Sequence, residues 1–195
     1  EQIDSLLNQK KEYGKSNLGN EKSVNVEFVS ANPTGPITVA HMRGAVLGDV
    51  ISSLLTHTGH KVTKEYYVNN AGSQIDILGK SLLKRYFELF GQAIEISDNE
   101  YPGQYLIDIA KLIINKDGNK WLNINSNERD NYFKDFAVKY LIEFIEKDLK
   151  LLNISFDKFS FETDIVNSNI INDLFKILDK KNLLYNGILE KPKGD

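Results

Sequence analysis

Two prolines and a glycine within four residues, Pro33, Gly35 and Pro36, break the chain at the point where a strand pattern gives way to a helix pattern. Before the break, Val24 to Ser30 alternates, with Val24, Val26 and Phe28 on one face and Asn25, Glu27 and Val29 on the other, the period-two signature of a strand. A β-ladder does not continue through Asn32-Pro33-Thr34-Gly35-Pro36, because proline has no amide to donate and glycine holds no fixed conformation. Beyond it, Val46, Leu47, Val50, Ile51, Leu54 and Leu55 recur at helical spacing, and Gly59 closes the run. Val62 to Val68 reads as a second strand. A strand, a tight loop, a helix and a strand make a βαβ unit over residues 24 to 68, with its two strands parallel. The fold class expected is therefore α/β.

The middle of the chain changes period. Helical patterns are expected over Gln74 to Phe90, Tyr105 to Ile114 and Glu128 to Leu152, the last introduced by Asn125 and Glu128 at capping-box spacing. Three successive helices read as an insertion between strands. Ile154 to Phe161 returns the chain to a sheet, a further helix spans Ser168 to Lys181, and Leu183 to Leu189 carries Asn186-Gly187, a hairpin signal. Residues 1 to 22 are polar and read as a linker without a stable element, and the tail from Lys191 to Asp195 reads as a loop.

Composition narrows the function classes. At 195 residues, with 41% apolar and 26% charged side chains, the chain suits one globular domain carrying a large insertion. No apolar run approaches the roughly 20 residues of a membrane span. The absence of cysteine excludes disulfides, thiolate nucleophiles and cysteine-based zinc sites, and fits a reducing compartment. A net charge of -3 gives no global attraction to nucleic acid, so any RNA contact rests on a local patch.

The chemistry is concentrated between Glu27 and Asp49. A strand ending in a loop that opens a helix gathers backbone N–H groups and the positive end of the helix dipole at one point, a natural anion site. His41 and Arg43 stand at the start of that helix. Taken alone, a histidine there is more often a surface or capping residue than a ligand, Glu27 reads first as an outward-facing strand residue, and neither common phosphate-loop signature is present.

The full string alters that balance. Val26-Glu27-Phe28-Val29-Ser30-Ala31-Asn32-Pro33-Thr34-Gly35-Pro36, followed by His41-Met42-Arg43-Gly44-Ala45-Val46-Leu47-Gly48-Asp49, resembles the first nucleotide-binding motif of the arginyl-tRNA synthetases. Tyr66-Tyr67-Val68-Asn69-Asn70-Ala71-Gly72-Ser73-Gln74-Ile75 follows at the family's usual distance. Further similarity lies at Glu100 to Tyr105, at Phe156-Asp157 and at Leu184 to Gly187, so the resemblance runs from about Tyr13 onward. It implies the first half of a Rossmann-like class I synthetase catalytic domain with a helical connecting insertion. In those terms residues 1–22 are a linker remnant, 23–70 the first half of the nucleotide-binding domain, 71–153 the mainly helical insertion, and 154–195 the truncated return to the catalytic domain.

The resemblance also implies an activity: L-arginine activated by ATP, which brings Mg²⁺ with it, and transferred to the 3′ end of arginine tRNA. No protein-bound cofactor and no dedicated metal cage are implied, and a cytoplasmic monomer is expected. His41 and Thr38 fall on catalytic positions. Glu27, Ser30, Ala31, Asn32 and His41 fall on arginine-binding positions, with Glu27 expected against the guanidinium and Asn32 against the α-amino and carboxylate groups. Thr38, Ala40, His41 and Gly44 fall on ATP-binding positions. The sequence departs from the family where His-Val-Gly-His becomes Thr38-Val39-Ala40-His41. Ala40 adds a methyl where adenine lies closest, and Thr38 takes the place of a phosphate-contacting histidine.

Two other readings start from the same residues. One is a different class I synthetase, such as the cysteinyl or glutamyl type. The other is a non-catalytic helical, RNA-associated binding module in which the βαβ unit is only structural. His57 and His60 flank Gly59 at a helix end, where imidazoles serve exposed carbonyls. Lys80, Lys84 and Arg85 suit a solvated helix face, and Trp121 suits packing.

Overall fold

The structure, a computed structural model, describes residues 2–124 and 126–188. Helix α1 (Gln2–Gln9) is followed by β1 (Ser23–Glu27), α2 (Val39–His57), β2 (Lys61–Val68), α3 (Ser73–Leu89), α4 (Gln104–Asp117), α5 (Asn127–Leu151), β3 (Lys158–Phe161), α6 (Glu162–Asn167) and α7 (Ile170–Lys180). The sheet runs β1-β2-β3 with both pairs parallel, as the βαβ pattern requires.

Register divides the sheet into two chemically different faces. Val26 pairs with Lys64, Tyr66 with Phe159 and Val68 with Phe161, which sets Val26, Phe28, Tyr66, Val68, Phe159 and Phe161 on one side. Against that side pack Ala45 of α2 and Ile145 and Leu149 of α5. The other side carries Asn25, Glu27, Glu65, Tyr67, Lys158 and Ser160. There the Glu65 carboxylate accepts hydrogen bonds from Asn25 and Ser160 and lies 3.3 Å from Lys158 Nζ.

The residues that announce α2 as a helix are not the ones it buries. Its sheet-facing stripe is Ala45, Gly48 and Ser52, whereas Val46, Leu47, Val50, Ile51 and Leu54 are 41–61% exposed. Small side chains let the helix axis approach the sheet closely. A Cβ added to Gly48 would sit 2.2 Å from Cγ of Phe28, and Ser52 satisfies its buried hydroxyl by donating to the Gly48 carbonyl at 2.7 Å. Lys64 Nζ meets Asp49 Oδ1 at 2.6 Å across the same seam.

The helical block forms its own core from α3, α4 and α5 around Tyr86, Phe133 and Trp121, all almost fully buried. Tyr86 donates its hydroxyl proton to the Gly118 carbonyl at 2.7 Å, which satisfies that group inside the core. Helix α5 belongs to both cores: Phe133, Ala137 and Leu141 face the block, and Ile145 and Leu149 face the sheet.

The structure revises several local expectations. Gln2–Gln9 is helical, although its apolar side chains Ile3, Leu6 and Leu7 remain exposed. The cap of α5 is Ser126, whose side chain accepts from the Arg129 amide at 3.3 Å; Asn125 lies outside the described residues. No strand forms over 183–188, so the Asn186-Gly187 signal makes no hairpin among the described residues, and Leu189 and the tail lie outside them. The hairpin fails for a physical reason, since a turn signal needs two flanking strands with a buried face and Leu183, Leu184, Tyr185 and Ile188 are all exposed. No described helix is long and apolar enough to cross a membrane.

Gly48→Ala adds roughly 1 kcal/mol of helix propensity but forces a methyl into the base of the Phe28 ring, and overpacking costs about 1–3 kcal/mol. Net destabilisation is expected, read as a lower urea midpoint; an unchanged or raised midpoint would contradict the close α2–sheet approach.

Candidate functional site

The break after β1 is built from backbone strain and three anchoring hydrogen bonds. Val29 and Ser30 both adopt left-handed backbone, with φ of 65° and 41°. For a β-branched residue followed by another non-glycine this is costly, of order 1–3 kcal/mol each, and persists only where surroundings over-determine it. Here Ser30 Oγ accepts from the Tyr67 amide at 3.0 Å, the Ser30 amide donates to the Phe28 carbonyl at 2.9 Å, and the buried Tyr66 hydroxyl donates to the Ala31 carbonyl at 2.8 Å. Farther along, Tyr105 of α4 donates its hydroxyl proton to the Thr34 carbonyl at 2.5 Å, so the helical block holds the loop from outside. Burial raises the Tyr105 phenol to about 12, and burial likewise raises Tyr66, so both remain donors through the neutral range.

This turn delivers the predicted residues to the carboxyl end of the sheet, the usual ligand crevice of an open parallel sheet. Glu27 closes β1. Asn32, exposed, donates through Nδ2 to Gln74 Oε1 at 2.9 Å at the start of α3. Ala31 is buried and contributes its carbonyl to Tyr66, not a side chain to solvent. Ser30 is likewise committed, to the Tyr67 amide.

The electrostatic centre of this end is Tyr67 on β2. Its phenol is raised, first by desolvation and then by the charges of Glu162 and Glu27. Two carboxylates, one from the end of β1 and one just past β3, therefore act on the same group. Asn69 orients Glu162: with its amide nitrogen facing the acceptors, it donates to Glu162 Oε2 at 2.6 Å and to the Ala71 carbonyl at 3.1 Å. Glu162, Asn69, Gly72, Ser73 and Gln74 line a cleft of about 210 Å³. Gly72 opens α3 at φ 86° and ψ -178°, a conformation open only to glycine. Glu162, Tyr67, Asn69 and Gln74 were not singled out as site residues by sequence. Tyr67, Asn69 and Gln74 lay inside the quoted motif, but Glu162 carried no local signal.

Helix α2 opens separately. Thr38 is its N-cap, and His41 sits at the third helical position. The Thr38 amide donates to His41 Nδ1 at 3.0 Å, and Thr38 Oγ1 lies 3.1 Å from the same nitrogen. The ring's hydrogen bonds run to Thr38 alone among the described residues, so His41 makes no hydrogen bond to Glu27 or Asn32. Ala40 is exposed, and a Cβ built on Gly44 meets no atom within 4 Å, leaving open space above the first turns. His57 and His60 serve carbonyls: His57 Nε2 lies 2.9 Å from the Tyr13 carbonyl, tying that residue to the end of α2, and His60 Nδ1 lies 3.1 Å from the carbonyl of Leu55 within the helix. Trp121 is core, 2% exposed.

A parallel sheet whose first strand turns through a proline-bounded loop into a histidine-bearing helix start, interrupted by a helical block, is the layout of a class I tRNA synthetase catalytic domain. The family described as "tRNA synthetases class I (R), catalytic domain" matches residues 2–187, and the chain belongs to it. The chain is 46% identical over 184 residues to the arginine–tRNA ligase of Anaplasma marginale, covering 94% of this chain and 31% of that protein. It is 45% identical over 185 residues to that of Wolbachia pipientis, covering 95% and 32%. The solved arginyl-tRNA synthetase structure from Campylobacter jejuni superposes with a TM-score of 0.83 at 31% identity, over 95% of this chain and 40% of that one. The Thermus thermophilus arginyl-tRNA synthetase, at TM-score 0.55 and 19% identity over 91% and 30%, shares the fold. The chain thus spans about a third of the length of the curated relatives it matches.

The carboxyl of Glu65 is held below its ordinary value of 4.5, chiefly by the Ser160 hydroxyl, then by Asn25 and Lys158. A depressed folded-state value means that ionised Glu65 adds stability above about 4.5, and that this is lost as pH falls through the lower value. Glu65→Gln is expected to flatten the acid limb of the stability–pH curve below pH of about 4.5; an identical acid limb would show that the network does not hold the charge.

Proposed function

We propose that this chain forms the first part of the catalytic domain of an arginine–tRNA ligase. The ligase joins the arginine carboxylate to the α-phosphate of ATP, which arrives with Mg²⁺, releases pyrophosphate, and passes the arginyl group from the adenylate to a hydroxyl at the 3′ end of arginine tRNA, releasing AMP. The observation that carries the reading is that Glu27 ends β1 and Glu162 follows β3, on the two strands that flank Tyr67 of β2, at the carboxyl end of a parallel sheet. A planar guanidinium with five donors suits two carboxylates beside a phenol, because a forked cation satisfies several acceptors at once. Asn32, held by Gln74, presents an amide to the α-amino and carboxylate end, while Ser30 and Ala31 shape the pocket through their backbone. At the start of α2, His41 meets the ATP phosphates and Thr38, Ala40 and Gly44 border the nucleotide. His41 in this role stabilises charge as the α-phosphate is attacked, an electrostatic task for preorganised donors.

In the same reading, residues 23–70 and 154–195 belong to the nucleotide-binding domain and 71–153 to the insertion. The exposed apolar side of α2 is where the remainder of a longer ligase packs, since an apolar surface of that kind is unfavourable in water. The ligase works as a cytoplasmic monomer, and tRNA contacts rest mainly on the rest of the protein.

In the full-length ligase, Glu27→Gln is expected to weaken arginine binding about ten- to hundredfold, equivalent to roughly 1.5–3 kcal/mol for a hydrogen bond to a charged group. ATP–pyrophosphate exchange measures this as a raised arginine KM with the ATP KM little changed. An unchanged arginine KM would remove Glu27 from the site. In the same assay, Thr38→His and Ala40→Gly are expected to speed exchange by restoring the family's pattern; no gain from either would mean that the departure costs nothing.

A further inference from the structure

The His41 ring is bound to its own helix start in a way that fixes which nitrogen carries the proton. We infer that Thr38 is a positioning residue that locks His41 as the neutral Nε2–H tautomer. The argument rests on one asymmetry: a backbone N–H is a donor and never an acceptor. With the Thr38 amide 3.0 Å from Nδ1, that nitrogen must present a lone pair, and the ring proton must reside on Nε2. Protonating Nδ1 as well would set two donors face to face. Thr38 Oγ1, 3.1 Å away, reinforces the arrangement by donating to the same lone pair.

The chain's other two histidines provide internal contrasts. His57 faces the Tyr13 carbonyl with Nε2 at 2.9 Å, and His60 faces the Leu55 carbonyl with Nδ1 at 3.1 Å. A carbonyl only accepts, so His57 carries its proton on Nε2 and His60 on Nδ1. The three rings therefore sample both tautomers, and His41 is the one whose tautomer is set by a donor.

The consequence for chemistry rests on the proposed function. Nε2–H becomes the one ring nitrogen left to donate, at the positive end of the α2 dipole. An oxyanion there meets the Nε2–H donor, whose proton stays on that nitrogen because Nδ1 is held by the amide. The lock belongs to the backbone of position 38, which any residue but proline supplies, and Thr38 Oγ1 adds to it.

The decisive measurement is nuclear magnetic resonance on the ¹⁵N-labelled chain. A scalar coupling across the hydrogen bond between the Thr38 backbone nitrogen and His41 Nδ1 is expected, together with an unprotonated Nδ1 and a protonated Nε2 at His41 and the opposite pattern at His60. Thr38→Val and Thr38→Ser keep the backbone donor and should keep the coupling, whereas Thr38→Pro deletes it and should give His41 mixed tautomers with His57 and His60 unmoved. A proton on His41 Nδ1, no coupling in the unsubstituted chain, or an unchanged tautomer in a folded Thr38→Pro variant would each overturn the lock. Should the proline variant fail to fold, the coupling in the unsubstituted and valine chains still decides. Adding MgATP separates the two claims: a shifted Nε2 resonance supports the phosphate contact, and an unmoved one removes that contact while leaving the lock standing.

Discussion

Everything at the carboxyl end of this sheet depends on the left-handed turn at Val29 and Ser30. Two consecutive non-glycine residues with positive φ are unfavourable by themselves, and β2 holds them by supplying the Tyr67 amide to Ser30 and the Tyr66 hydroxyl to the Ala31 carbonyl. The strand that completes the βαβ unit is thus also the clamp on the loop that starts it. Glu27 is set by its pairing with Glu65, whereas Asn32 beyond the turn reaches Gln74.

A second dependence runs through α5. Its first half closes the helical block around Phe133 and its second half closes the sheet core through Ile145 and Leu149, so the block is continuous with the sheet through one rigid rod. Tyr105 adds a tether from the block to Thr34. Changes inside the helical block should therefore reach the loop through these two connections, by packing in one case and by a single hydrogen bond in the other.

The site divides into two parts with different physics. Glu27 and Glu162 bring negative charge to bear on Tyr67, whereas α2 opens with the Thr38–His41 pair, the positive end of a helix dipole and Arg43 close behind.

The strand at Val24, the break at Pro33, the helix beyond it and the parallel return at Val62 were legible from sequence, because each is coded by the spacing of neighbouring residues. So was the motif from Glu27 to Asp49. Other features were decided by packing. The stripe that marks α2 as helical proved to be its exposed side, since close approach to Phe28 selects the small residues Ala45, Gly48 and Ser52. The hairpin signal at Asn186-Gly187 made no hairpin among the described residues, where Leu183, Leu184, Tyr185 and Ile188 have no buried face. Glu162 joined Glu27 at Tyr67 only through the register of three strands, and the tautomer of His41 follows from an amide three residues earlier once a helix begins there. Local periodicity determined the elements; which distant groups meet was left to the tertiary structure, because side chains far apart in the chain interact only after a core has brought them together.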